Sequence, residues 1–210
     1  MADDRPRTRP TAARDAVPPA PAANASKSVF RRWARAARQA RSPEERAAGA
    51  AAVVAGIRAF EPYRRASIVA TYLAFGDELD LGDLHHDDPQ RFAVPRTHVG
   101  DRRWLTFHPL AGARLERHRY GQLEPAAKDP RIAPERIELV LVPGLAFDPR
   151  GVRLGHGQGF YDAFLATLRP GTMTVGITLE EWIVPALPSE AHDVRVTHLA
   201  TEHGVRAVSR

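Results

Sequence analysis

The chain has 210 residues, 43% of them hydrophobic and 26% charged, the balance of a folded chain long enough for one buried core. Its formal charge is +5 and it contains no cysteine, which excludes disulfides, thiolate catalysis, Cys-type zinc sites and iron–sulfur clusters. No run of about 18 apolar residues occurs, so no transmembrane helix is expected.

The first ten residues, MADDRPRTRP, lead into no apolar segment. A secretory signal is therefore not expected, and a cytoplasmic location is. Residues 1–26 hold five prolines and eight alanines with no periodic apolar pattern, and read as a disordered tail. Residues 27–210 read as a single domain. A helix is expected from Ser26 to Arg41, with Val29, Trp33, Ala36, Ala37 and Ala40 on its inner face. Ser42-Pro43-Glu44-Glu45 then carries a capping residue, a proline suited to the first helical position and the Glu of a capping box. That helix should end before Pro62. From Lys27 to Arg65 basic residues outnumber acidic ones ten to three, a segment suited to a polyanion.

Short apolar runs follow. Strands are expected at Ser67–Ala74, Arg91–Val94, Arg103–Phe107, Ile137–Val142, Met173–Thr178 and Val196–Ala200, with a helix over Phe160–Leu168. The run Ile137–Val142 is nearly continuous and branched, as in strands buried on both faces. Strands alternating with helices predict an α/β fold with a mostly parallel central sheet. Ligands bind such sheets beyond the carboxyl ends of the strands.

The segment after Val142 is therefore where chemistry is sought. It carries Gly144, Gly151, Gly155, Gly157 and Gly159 before the expected helix at Phe160. Alternating glycines ahead of a helix start let backbone N–H groups approach an anion, helped by the helix dipole. Glycines at such spacing also serve plain turns. Arg153 supplies a guanidinium for phosphate. Asp162, in the first helical turn, can join phosphate oxygens in holding Mg²⁺. No Gly-Lys-Ser/Thr follows, and the spacing is not that of the dinucleotide fingerprint.

The whole string, VPGLAFD followed by G-x-RLG-x-G-x-GFYD-x-FL, resembles the signature of the 5-formyltetrahydrofolate cyclo-ligase (5,10-methenyltetrahydrofolate synthetase) family. Lys27-x-x-x-Arg31, Phe75-Gly76-Asp77-Glu78-Leu79-Asp80, Val94-Pro95, Glu124-Pro125, Leu187-Pro188-x-Glu190-x-His192-Asp193 and Thr201-Glu202 resemble further family segments in the same order. The resemblance implies a three-layer α/β/α fold like that of sugar-phosphate isomerases and coenzyme A transferases. It also implies conversion of 5-formyltetrahydrofolate to 5,10-methenyltetrahydrofolate with MgATP, releasing ADP and phosphate.

By that resemblance Lys27, Arg31, Arg153, Leu154, Gly155, His156, Gly157, Gln158, Gly159, Phe160 and Tyr161 bind ATP. Glu78, Phe75, Phe160 and Tyr161 bind the folate. Asp162 and Asp193 hold Mg²⁺, and Lys27, Arg153 and Asp162 are catalytic. Partners are then 5-formyltetrahydrofolate, with or without a polyglutamate tail, and MgATP. No nucleic acid or membrane is expected, and the protein is expected to be a monomer.

His156, Gln158, Phe160 and Trp182 depart from the family pattern, which often has basic residues at the first two positions, Tyr at the third and Gln at the fourth. Fewer loop cations would weaken phosphate neutralisation unless His156 is protonated. A folate- or nucleotide-binding protein without turnover is the alternative. His85-His86-Asp87-Asp88 has metal-ligand chemistry but reads as a solvated turn.

Overall fold

The computed structural model describes residues 17–209. The sixteen residues before them, most of the expected tail, lie outside it. Residues 17–26 do make contacts: Val17 and Ala25 pack against the core, and the Trp33 indole donates to the Pro18 carbonyl at 2.8 Å.

Helix α1 (Lys27–Gln39) and helix α2 (Pro43–Ala59) open the fold. The capping box forms as its sequence requires: Ser42 Oγ accepts from the Glu45 N–H while the Glu45 carboxylate accepts from the Ser42 N–H. The inner face of α1 is Phe30, Trp33, Ala34, Ala37 and Arg38. This differs from the expected face, because an arginine lies inward and Ala36 does not.

Then follow α3 (Glu61–Arg65), β1 (Val69–Ala70), α4 (Gly82–Asp87), β2 (Phe92–Val99), β3 (Arg103–Pro109), β4 (Leu115–Arg117), β5 (Leu123–Pro125), β6 (Leu139–Pro143), β7 (Ala146–Phe147), β8 (Arg153–Leu154), α5 (Phe160–Leu165), β9 (Met173–Ile177), β10 (His198–Thr201) and β11 (Gly204–Ala207). The main sheet has the order β11-β10-β9-β6-β1-β2-β3. Strands β10, β9, β6, β1 and β2 run parallel, and the two edge strands pair antiparallel.

Alternate residues of β6 explain why its run is apolar throughout. Leu139 and Leu141 join the core beneath α1, α2 and α4, while Val140 and Val142 join a second core with Phe164 and Leu165 of α5. The sheet is thus covered on both faces, as the expected three-layer fold requires, although α5 is one short helix.

Two expectations need correction. The run Ser67–Ala74 stays in the ladder for Val69 and Ala70 alone; the chain leaves after the Thr71 N–H reaches the Ala93 carbonyl. Tyr72 is buried, and its hydroxyl donates to the Leu79 carbonyl at 2.7 Å, which pulls this segment into the following turn. The His85-His86-Asp87-Asp88 stretch is largely helix α4, and His85 is buried beside Thr71 and Phe92 rather than solvated. Its desolvation lowers the imidazole to about 4, so it stays neutral.

Candidate functional site

A cavity of about 780 Å³ opens beyond the carboxyl ends of β1 and β6, where this sheet type places ligands. The chain leaving β1 brings Tyr72, Phe75 and Glu78 to it; Pro143 and Gly144 come from the end of β6. The segment from β8 into α5 lines it from Arg153 to Asp162. Helix α1 contributes Lys27 and Arg31, and the late loop contributes Glu190, His192 and Asp193. All the sequence-nominated site residues, from Lys27 to Asp193, therefore share one cavity.

The nominated cations meet protein acceptors. Lys27 Nζ lies 2.8 Å and 3.0 Å from the two Asp193 carboxylate oxygens and 3.3 Å from Glu190. Arg153 Nη2 lies 2.9 Å from Asp162 Oδ1, with these side chains 6% and 18% exposed. Burial alone would raise the Asp193 carboxyl, but the Lys27 ammonium and the Glu190 N–H outweigh it and hold that group below the usual range. Each proposed metal ligand is thus already neutralised by a cation.

The glycine loop is shaped around arginines. A Cβ on Gly155 would sit 2.6 Å from Arg153 Nη1, and one on Gly157 would sit 3.1 Å from Arg31 Cζ. Gly157 also has φ +91, a conformation side chains disfavour. Arg31 Nε donates to the Gly155 carbonyl at 2.9 Å. The loop therefore lays two guanidinium groups against its own backbone. Helix α5 is shorter than expected, ending at Leu165, so arginines contribute more positive potential than a helix dipole here.

His156 supplies no compensating charge. Desolvation and the neighbouring Arg35, Arg38 and Arg153 lower its imidazole, against the opposing pull of Asp77. Without a bound anion its charged form is disfavoured. Trp182 does not line the cavity. It is fully buried, and the Arg38 guanidinium stacks 4.0 Å from its ring centroid.

Glu78 lines the same cavity. Its Oε2 accepts from the Phe75 N–H at 3.1 Å. Desolvation pushes its carboxyl up to about 7, against the opposing Phe75 N–H and the Arg38 charge. The Tyr161 hydroxyl is buried without a hydrogen-bond partner among the described residues, and burial with the nearby Glu78 raises it far above the usual phenol range. Phe75 and Tyr120 stand exposed at the mouth, where the Phe75 ring lies over the Gly121 backbone. The cavity lining thus combines paired cations and carboxylates with aromatic rings and the Glu78 acid.

Sequence reasoning passed over Arg38, Tyr72, Gln122 and Tyr120. Glu124 was nominated only as part of a motif; its buried carboxylate accepts from the Thr97 N–H at 3.1 Å and the Gln122 amide at 3.2 Å. A buried arginine and a late hairpin leave no periodic signal that would have marked them.

Residues 23–202 match the model of the 5-formyltetrahydrofolate cyclo-ligase family. A 5-formyltetrahydrofolate cyclo-ligase of Mycolicibacterium smegmatis is 38% identical over 64 residues, 30% of this chain and 33% of that protein. The Escherichia coli 5-formyltetrahydrofolate cyclo-ligase is 28% identical over 172 residues, 78% of this chain and 93% of that one. The NMR structure of Aquifex aeolicus 5,10-methenyltetrahydrofolate synthetase superposes with TM-score 0.74 at 29% identity, covering 88% of this chain and 93% of that chain. The first three curated relatives matched are spanned over 33%, 50% and 34% of their lengths.

Proposed function

The chain belongs to the 5-formyltetrahydrofolate cyclo-ligase family, and from that premise we propose that it converts 5-formyltetrahydrofolate to 5,10-methenyltetrahydrofolate, consuming ATP and releasing ADP and phosphate. The observation that carries this reading is that one cavity collects the cations, the acid and the aromatic rings that the two substrates would need. Lys27, Arg31 and Arg153 line it together with Glu78, Phe75, Phe160 and Tyr161, and the Arg153 guanidinium lies 5.5 Å from the Tyr161 ring centroid.

The chemistry sets the demands. A formyl oxygen is a poor leaving group. The γ-phosphoryl of ATP passes to that oxygen, giving an imidate phosphate. N10 then attacks the activated carbon and loses its proton, and phosphate departs as the ring closes. Both steps need negative charge neutralised and two substrates held in line. In this reading Lys27 and Arg31, one helical turn apart, share a face toward the phosphates. Arg153 and the backbone from Gly155 to Gly159 close around them, with Leu154, His156, Gln158 and Phe160 along the nucleotide. Glu78 accepts paired ring N–H groups of the pterin, and Phe75, Phe160 and Tyr161 wall its flat faces.

Mg²⁺ fits this donor set as the nucleotide's companion ion. Among the described residues no three acidic, His or Cys groups converge, but Mg²⁺ takes one or two carboxylates and draws its other ligands from phosphate and water. Asp162 and Asp193 are the carboxylates at hand. The ion would screen phosphate charge. Lys27 and Arg153 would be freed for phosphate oxygens as their carboxylates are taken up.

The same reading has the protein act as a cytoplasmic monomer, on substrate with or without a polyglutamate tail, without nucleic acid. No helix among the described residues is long and apolar enough to cross a membrane.

The test is to mix purified protein with 5-formyltetrahydrofolate and MgATP and follow the methenyl chromophore in the near ultraviolet. ATP-dependent growth, abolished by chelating Mg²⁺, is the expected result. The disfavoured charge on His156 gives the alternative its footing: folded protein that binds folate but forms no product would make it a binding protein.

A further inference from the structure

Arg38 is 2% exposed and sits in no ion pair with a carboxylate among the described residues. Its three nitrogens donate instead to backbone carbonyls: Nη1 to Asp77 at 2.8 Å, Nη2 to Gly144 at 2.5 Å and Nε to Leu145 at 3.2 Å. Its flat face rests on Trp182. A lone buried cation is costly unless its donors are satisfied, and here they are satisfied by two different walls of one cavity. Asp77 immediately precedes Glu78. Gly144 and Leu145 follow β6, and the Leu145 N–H reaches the carbonyl of Leu154, beside Arg153.

We propose that Arg38, seated on Trp182, is a positioning residue that fixes the Glu78 turn against the phosphate-side loop and so sets where the folate ring sits relative to the nucleotide. Its role for the folate rests on the function proposed above. Arg38 touches no ligand itself; it lies behind the wall and is not part of the cavity lining. Fixing the Asp77 carbonyl fixes the backbone from which Glu78 projects. A planar fork suits this, since it offers several donors in fixed directions where an ammonium offers a point charge. Trp182 is the matching half of the device. An aromatic face is what a guanidinium stacks on, which gives the residue that departs from the family pattern a purpose in this chain.

The charge has a second effect. The charged and titratable groups near Glu78 are Arg38 from α1, Asp77 beside it, and Tyr72 and Tyr161. Of these Arg38 is the cation. It favours the ionised carboxylate that an N–H-donating ring requires, against the desolvation that opposes it.

The test compares wild type, Arg38→Met and Arg38→Lys by three readouts. The first is the carboxyl titration of Glu78 by ¹³C NMR in ligand-free protein. The second is calorimetric affinity for 5-formyltetrahydrofolate without ATP. The third is calorimetric affinity for ATP alone. Arg38→Met should raise the Glu78 midpoint and weaken folate binding at pH 7 by about tenfold or more, with ATP affinity changed less than about twofold. Arg38→Lys should keep the Glu78 midpoint near wild type while weakening folate binding partway, because it restores charge but not the fork.

An unmoved Glu78 midpoint in Arg38→Met, or equal losses for folate and ATP, would overturn the proposal. If Arg38→Met does not fold, Trp182→Phe carries the test: selective weakening of folate supports the seat, and unchanged or equally reduced affinities overturn it. Wild-type protein that binds no folate would sink the functional reading, while the Glu78 titration would still decide whether Arg38 governs that carboxylate.

Discussion

Lys27 and Asp193 stand 166 positions apart in sequence, yet the ammonium lies 2.8 Å from the carboxylate. The two side chains are 18% and 10% exposed. A group nominated for phosphate and a group nominated for metal therefore neutralise each other across the cavity. Two like-charged clusters would otherwise have to be held at one spot before any ligand arrived.

Lys27→Met should separate binding from stability. ATP affinity should fall at least about tenfold, because a charge-assisted contact is removed. Global stability should fall by only about 1 kcal/mol, because the pair is partly solvated. Because Asp193 is held below its ordinary range, its contribution is present above the unfolded-state value and fades as pH falls through the folded one. The stability gap between wild type and variant should therefore shrink in acid, as denaturant titrations at pH 7 and pH 3 would show.

Asp162→Asn keeps the shape of the side chain and removes its charge. Turnover should drop by about 10²-fold or more, read from the methenyl absorbance. Unchanged turnover would remove Asp162 from the metal and catalytic roles.

Gly155→Ala and Gly157→Ala should differ in kind. The first adds a methyl into the space of the Arg153 guanidinium, and should raise the KM for ATP with little loss of stability, since the arginine can shift. The second forces alanine to φ +91 against Arg31, and should cost about 1–2 kcal/mol besides weakening ATP. Thermal melts and ATP titrations on the two variants distinguish them.

Glu78→Gln should stabilise the ligand-free protein at alkaline pH. The Glu78 carboxyl is raised to about 7 by desolvation. Stability is therefore lost as pH rises from the unfolded value to the folded one, and that loss persists above it. Glutamine cannot ionise and can still accept the Phe75 N–H. At pH 8 the variant should exceed wild type by about 1–2 kcal/mol, less than the full linkage value because the carboxyl meets cleft water. At pH 4 the two should match, and folate binding should be lost throughout. Melting curves at both pH values check the sign.

What was legible in the sequence followed local rules. The Ser42-Pro43-Glu44-Glu45 start and the β6 run obey constraints a few residues long, and they form as read. The glycine loop was legible as a motif, but the nearest neighbours of Gly155 and Gly157 turned out to be arginine side chains, one of them from α1. Arg38 escaped because charge usually marks the outer face of a helix, and nothing local announces that three distant carbonyls will receive it. The strand through Thr71 was read too long because its apolar pattern continues past Ala70 into residues that line the cavity. His85 differs for a related reason: a polar dipeptide near a proline reads as solvated, and only the packing of Thr71 and Phe92 against it buries it.

The cavity is assembled from the first helix and the last loop, and its Lys27–Asp193 contact spans nearly the whole fold. Until the segment bearing residue 193 docks, Lys27 stands without its Asp193 partner. Nucleotide and folate should therefore stabilise only molecules in which the first helix and the loop bearing Asp193 have already docked. A ligand that rescues a destabilised variant would do so by holding those distant segments together, which slows unfolding.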